Sequence, residues 1–219
     1  MSLKELKRTP ITRDDFARAI RDADVTISKA AAGVIWGQWC LETGSGKACW
    51  NFNIANLKVT GRQVAEGVDY VMLPNTWEII GGKKVVFQPP HHQTWFRSFE
   101  SLDEAMVHHL LFLQMRYGSA WECVEAGKPR EFAYALKSRG YFTGDVEAYA
   151  KGVEWFHRQW MAGVTWDEGE VPEPSEPMGG IIHGTHVVDW ALEQREAEFE
   201  ARLDELVGGF GRYDDVGED

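Results

Sequence analysis

The sequence predicts an α+β fold, mainly helical, with a small β-hairpin lobe and a separate C-terminal helix. Three observations carry this. Residues 28–43 are apolar nearly all the way round, the pattern of a helix buried inside a domain. Residues 76–87 change period, with two β-prone runs flanking Gly81-Gly82, which is a strong hairpin signal. Residues 167–180 then place Pro172, Pro174 and Pro177 among acidic side chains, a linker composition. A main domain at 1–166, a linker at 167–182 and an acidic helix with its tail at 183–219 are therefore expected. A chain of 219 residues is long enough to bury a sizeable core in this arrangement.

The elements follow in order. Residues 14–21 form a short amphipathic helix with acidic residues at its start. The buried helix of 28–43 carries one ionisable residue near its end, Glu42, and Gly44 and Gly46 supply the stop. Residues 47–67 read as irregular, with Asn51, Asn53 and Asn56 interleaved with Trp50 and Phe52. After the hairpin, Pro89-Pro90-His91-His92 reads as a loop, and Ser101-Leu102-Asp103-Glu104 is a capping box opening a helix over 102–117. Further helices are predicted at 119–126, 130–138 and 145–161. Beyond the linker, Val188, Leu192, Phe199, Leu203 and Leu206 recur at near-helical spacing over 186–207.

Charge separates the two ends. Of the net −11, residues 172–219 hold −10, so the preceding 171 residues are nearly neutral. This balance disfavours a nucleic-acid partner, which requires clustered Lys and Arg. No run of about 18 apolar residues is present, so membrane insertion is not expected. The first eight residues include bases but no apolar segment follows, so no secretory signal is read there. Cys40, Cys49 and Cys123 make neither a disulfide framework nor a metal-ligand spacing. No metal or other cofactor is expected.

Two glutamates stand out. Glu42 ends a buried helix, where desolvation raises a carboxyl's proton affinity, and Glu78 sits on the hairpin between Trp77 and Ile79. One desolvated acid and a second carboxylate beside an aromatic-lined groove is what glycosidic cleavage requires. Trp50, Trp77, Trp95 and Tyr141 are candidate faces for sugar rings. Competing readings are weaker. Cys40 with a histidine would make a nucleophile pair, but it falls inside the apolar helix. His108-His109 reads as packing, and His183 with His186 lacks a third metal ligand nearby.

Several motifs in order resemble the glucosaminidases of glycoside hydrolase family seventy-three, bacterial peptidoglycan hydrolases of lysozyme-like fold. Leu41-Glu42-Thr43-Gly44-Ser45-Gly46-Lys47, with Asn53-Ile54-Ala55-Asn56-Leu57-Lys58, is similar to the family's helix-end and Asn-rich signature. Thr76-Trp77-Glu78 resembles its β-lobe motif, Phe96-Arg97-Ser98-Phe99-Glu100-Ser101-Leu102 a later one, and Gly140-Tyr141-Phe142-Thr143 a third, with Tyr149 beyond it. The resemblance implies Glu42 as general acid, Glu78 as second carboxylate, Tyr141 lining the cleft, and Asn56, Trp77 and Phe142 against the sugar; Trp50 joins these substrate-binding candidates as an aromatic face. The departures are Ser45 in place of an aromatic, Ala48 in place of Ser, a compressed run at 56–58, and Gly144 in place of Asp.

The implied activity is endo-β-N-acetylglucosaminidase cleavage of β-1,4 bonds in peptidoglycan glycan strands. A muramidase of the same fold, or a weakly active structural or binding component of a phage or secretion particle, are the alternatives. Without a signal peptide, the expected route is synthesis in the cytoplasm followed by non-classical, particle-borne or holin-assisted release to the cell wall. The C-terminal helix would pack on the main domain, or pair with a second copy or another protein.

Overall fold

The structure, a computed structural model, describes residues 2–81 and 83–166. The expected linker and C-terminal helix lie outside the described residues.

Helix α1 (Arg13–Ala23) opens with a capping box in which the Thr12 hydroxyl accepts from the Asp15 N–H and Asp15 answers to the Thr12 backbone. Its Phe16, Ala17, Ala19 and Ile20 are buried, the stripe expected of an amphipathic helix. Helix α2 (Lys29–Thr43) is capped by Ser28 and ended by Gly44, whose φ of 58° closes the last turn in the left-handed region. Ten of its fifteen residues are buried, which explains its lack of a polar face.

A short helix α3 (Gly61–Ala65) follows, then strand β1 (Tyr70–Met72), hairpin strands β2 (Thr76–Ile80) and β3 (Lys83–Phe87), a 3₁₀ turn at His92–Thr94, and strand β4 (Trp95–Arg97). The hairpin is antiparallel with Trp77 opposite Val86 and Glu78 opposite Val85. Strand β1 pairs antiparallel with β4, Val71 opposite Phe96, so a second small ribbon joins the lobe to the helices. Four helices complete the described chain: α4 (Leu102–Arg116), α5 (Gly118–Glu125), α6 (Pro129–Ser138) and α7 (Val146–Gly163). The fold is α+β and mainly helical, and none of the described helices is long and apolar enough to cross a membrane.

Helix α7 lies along α2, and glycine sets how close it comes. A Cβ on Gly37 would stand 2.8 Å from the Val153 carbonyl oxygen, closer than such contacts occur. Gly33 leaves comparable room for the Trp160 ring. That ring belongs to an aromatic cluster with Phe16, Trp36 and Trp39, whose centroids lie 4.6–6.0 Å apart in edge and tilted arrangements. Much of the tryptophan content therefore serves packing. Trp166 also docks on Trp160 at 5.7 Å, a core role matching its position beside the expected linker.

Between α2 and α3 the chain lacks regular structure, and buried asparagines supply its hydrogen bonds. The Asn53 amide donates to the carbonyls of Leu57 and Arg97, and its oxygen accepts from the Leu57 N–H. Asn51 donates to the Glu5 carbonyl and the Ser98 hydroxyl while accepting from the Lys7 N–H. The N-terminal residues are thereby strapped across this loop.

Candidate active site

Glu42 sits in the last turn of α2, just before the Gly44 stop. The residue as a whole is partly exposed, but its carboxyl group is enclosed by protein, and the carboxyl's surroundings govern its proton affinity. Burial pushes it from an ordinary 4.5 up to about 7, against the opposing effect of hydrogen bonds from Tyr149 and Asn56. The Tyr149 hydroxyl donates to Glu42 Oε1 at 3.0 Å. Asn56, in a left-handed conformation with φ 52°, turns its amide onto the Glu42 backbone carbonyl. The compressed Asn56-Leu57-Lys58 run thus serves the end of α2 directly.

Two partly buried tyrosines face this carboxyl. Tyr141 follows α6, its hydroxyl donating to the Ala55 carbonyl at 3.2 Å, and Tyr149 lies on α7. Burial and the Glu42 charge hold both phenols well above their ordinary range, so they act as neutral donors. Phe142 stacks on Tyr149 with centroids 4.1 Å apart and planes 14° from parallel. The turn carrying Phe142 is pinned by Lys137, whose ammonium donates to the carbonyls of Phe142, Thr143 and Gly144. Asp145, next to Gly144, caps α7 by accepting from the Ala148 N–H at 2.7 Å.

Glu78 lies on β2 and forms an ion pair with Lys58, which also donates to Gln93 Oε1 at 2.6 Å. Lys58 stands two residues beyond Asn56, so one short loop contacts both glutamates.

The structure therefore brings together Glu42, Asn56, Tyr141 and Phe142, and adds Tyr149. Trp77 goes elsewhere. Side chains alternate along a strand, so Trp77 and Glu78 project from opposite faces of the hairpin. Trp77 is 53% exposed, with the Lys84 ammonium 4.7 Å from its ring centroid. Trp50 pairs its backbone with Arg8 of the N-terminal strap.

Sequence reasoning missed Gln38 and Lys58. Gln38 lies one helical turn before Glu42 and is the only amide in α2, a spacing that places both on one side of the helix. Lys58 had no signal beyond its place in the motif.

The competing nucleophile is badly placed for reaction. Cys40 is buried, and desolvation pushes its thiol up to about 12, leaving little thiolate at neutral pH. His109 is fully buried, and its Nε2 lies 3.0 Å from Gln38 Oε1. Among the described residues no group of three His, Cys, Asp or Glu is placed to hold a metal ion. An open groove beside Trp155, Arg158 and Gln159 on α7 shares no residue with the Glu42 cluster.

Fold and site together define a helical α+β protein with a desolvated carboxylic acid at a helix end, backed by tyrosine hydroxyls. No family model and no curated protein matches the sequence. Two solved structures are similar to it. The glycoside hydrolase domain of FlgJ from Salmonella typhimurium has 19% identity and a TM-score of 0.45, covering 90% of this chain and 100% of that one. A peptidoglycan hydrolase mutant from Sphingomonas sp. A1 has 24% identity and a TM-score of 0.46, covering 66% of this chain and 98% of that one.

Proposed function

We propose that the protein hydrolyses β-1,4 glycosidic bonds of peptidoglycan glycan strands as an endo-β-N-acetylglucosaminidase, with Glu42 as general acid. The observation that carries the reading is the Glu42 carboxyl, raised to about 7 and held by Tyr149. A carboxyl of that affinity keeps a substantial protonated fraction near neutral pH, which an ordinary glutamate does not. It protonates the glycosidic oxygen as the bond to the anomeric carbon breaks. Positive charge then develops on the sugar, and a carboxylate opposite stabilises it or activates water. Glu78 fills that role in this reading, with Lys58 holding it in place until substrate enters. Phe142, stacked flat on Tyr149, supplies an apolar surface beside the acid. The nearly neutral charge of the first 171 residues lets this part of the chain approach an anionic wall.

The test is digestion of purified sacculi, followed by mass spectrometry of the soluble fragments after borohydride reduction. New reducing ends on N-acetylglucosamine support the assignment, and ends on N-acetylmuramic acid make the protein a muramidase. Wall binding with no fragment released would contradict catalysis altogether.

A further inference from the structure

Behind the acid lies a buried polar chain that the reaction does not use directly. Gln38 and His109 are among the largest fully buried side chains, with Gln38 Oε1 3.0 Å from His109 Nε2. The Gln38 amide nitrogen has no hydrogen-bond partner among the described residues, yet the amide acts on the hydroxyls of both Tyr141 and Tyr149.

Proton accounting orients this chain. A phenol has one proton to donate. Tyr149 spends its proton on Glu42 and Tyr141 spends its own on the Ala55 carbonyl. Both hydroxyl oxygens are then left with lone pairs only, so the group facing them must be a donor. That places the Gln38 NH₂ toward the tyrosines and its oxygen toward His109. An amide oxygen only accepts, so His109 must carry its proton on Nε2.

We propose that Gln38 is a positioning residue: His109 anchors its carbonyl, its amide presents N–H groups to the tyrosine oxygens, and the Tyr149 O–H is thereby aimed at the Glu42 carboxyl. This rests on the reading of Glu42 as the acid. The groups facing Glu42 are Tyr149 from α7, Tyr141 from the segment after α6, and Asn56 from the loop after α2; no charged side chain figures among those acting on its proton. The hydrogen bond from Tyr149 favours the ionised carboxylate, so weakening it moves the titration of Glu42 upward.

The experiment follows the Glu42 carboxyl carbon by ¹³C NMR across pH in the full chain, for wild type, Tyr149→Phe, Gln38→Met and the double variant. Tyr149→Phe should raise the midpoint by about 1 pH unit, the size of a hydrogen bond to a charged group. Gln38→Met should give a smaller upward shift, and the double variant no more than Tyr149→Phe alone. A purely structural role for Gln38 would lower the melting temperature and leave the midpoint of the folded protein unmoved, which overturns the proposal. Should Gln38→Met not fold, the ¹⁵N shifts of His109 in the wild type decide. A proton on Nε2 supports the proposal, and a proton on Nδ1 overturns it. These readouts need no turnover. A wild type that releases no wall fragment while its titrations respond as described defeats the functional reading alone, whereas an active wild type with an unmoved Gln38→Met midpoint defeats this inference alone.

Discussion

Replacing Glu42 with glutamine should stabilise the folded chain, and do so only above mildly acidic pH. In the wild type the folded carboxyl binds its proton with a midpoint of about 7, against 4.5 in the unfolded chain. Between those values the folded state holds a proton that the unfolded state has released. The stability this group contributes is therefore complete below pH 4.5 and lost as pH rises through about 7. At 1.36 kcal/mol per pH unit the gap amounts to at most about 3 kcal/mol. The glutamine amide is neutral at every pH and avoids the loss. Unfolding free energies by urea should then diverge as pH rises from 4.5 to 8, with E42Q gaining up to about 3 kcal/mol on the wild type. Tryptophan fluorescence suits the measurement because Trp36, Trp39 and Trp160 share the core cluster. Taking the difference between variant and wild type at each pH cancels the other titrating groups. A difference independent of pH would refute the claim that burial raises this carboxyl.

Other residues give further tests. Burial, with Arg97 and His109 nearby, pushes His108 down to about 3, so the neutral ring stabilises the fold fully above pH 6.5 and progressively less as pH falls. His108→Phe, which keeps the ring contacts with Phe99 and Phe112, should remove about 2–3 kcal/mol of acid sensitivity at pH 4.5 in urea titrations. Gly37→Ala would force a methyl against the Val153 carbonyl and should cost about 1–3 kcal/mol in the same assay. Iodoacetamide applied to the native protein should spare Cys40 and Cys49, both buried with thiols raised by desolvation, and should mark Cys123 first; peptide mapping reads this.

The larger elements were legible because each carries a local signal. Helix α2 shows an apolar run with Ser28 before it and Gly44 after it, and the β2–β3 hairpin shows two β-prone runs about a glycine pair. The β1–β4 ribbon was not legible. Each strand is only three residues long, and they pair across the whole hairpin, so no window of sequence contains the pattern. The site divides in the same way. Glu42 could be read because a lone acid at the end of an apolar helix is a local anomaly. Its tie to Tyr149 spans 107 positions and depends on α7 lying against α2, which the glycines permit but do not announce. Trp77 illustrates a different limit: the motif resemblance sets it against the sugar together with Glu78, whereas strand alternation sends neighbours to opposite faces.

The most direct test of Glu42 as the acid is the rate of fragment release from purified sacculi as a function of pH, wild type beside E42Q. Activity should fall as pH rises through an apparent pKa near 7 in the wild type and be lost throughout in E42Q. An E42Q protein that still releases fragments at the wild-type rate would contradict it.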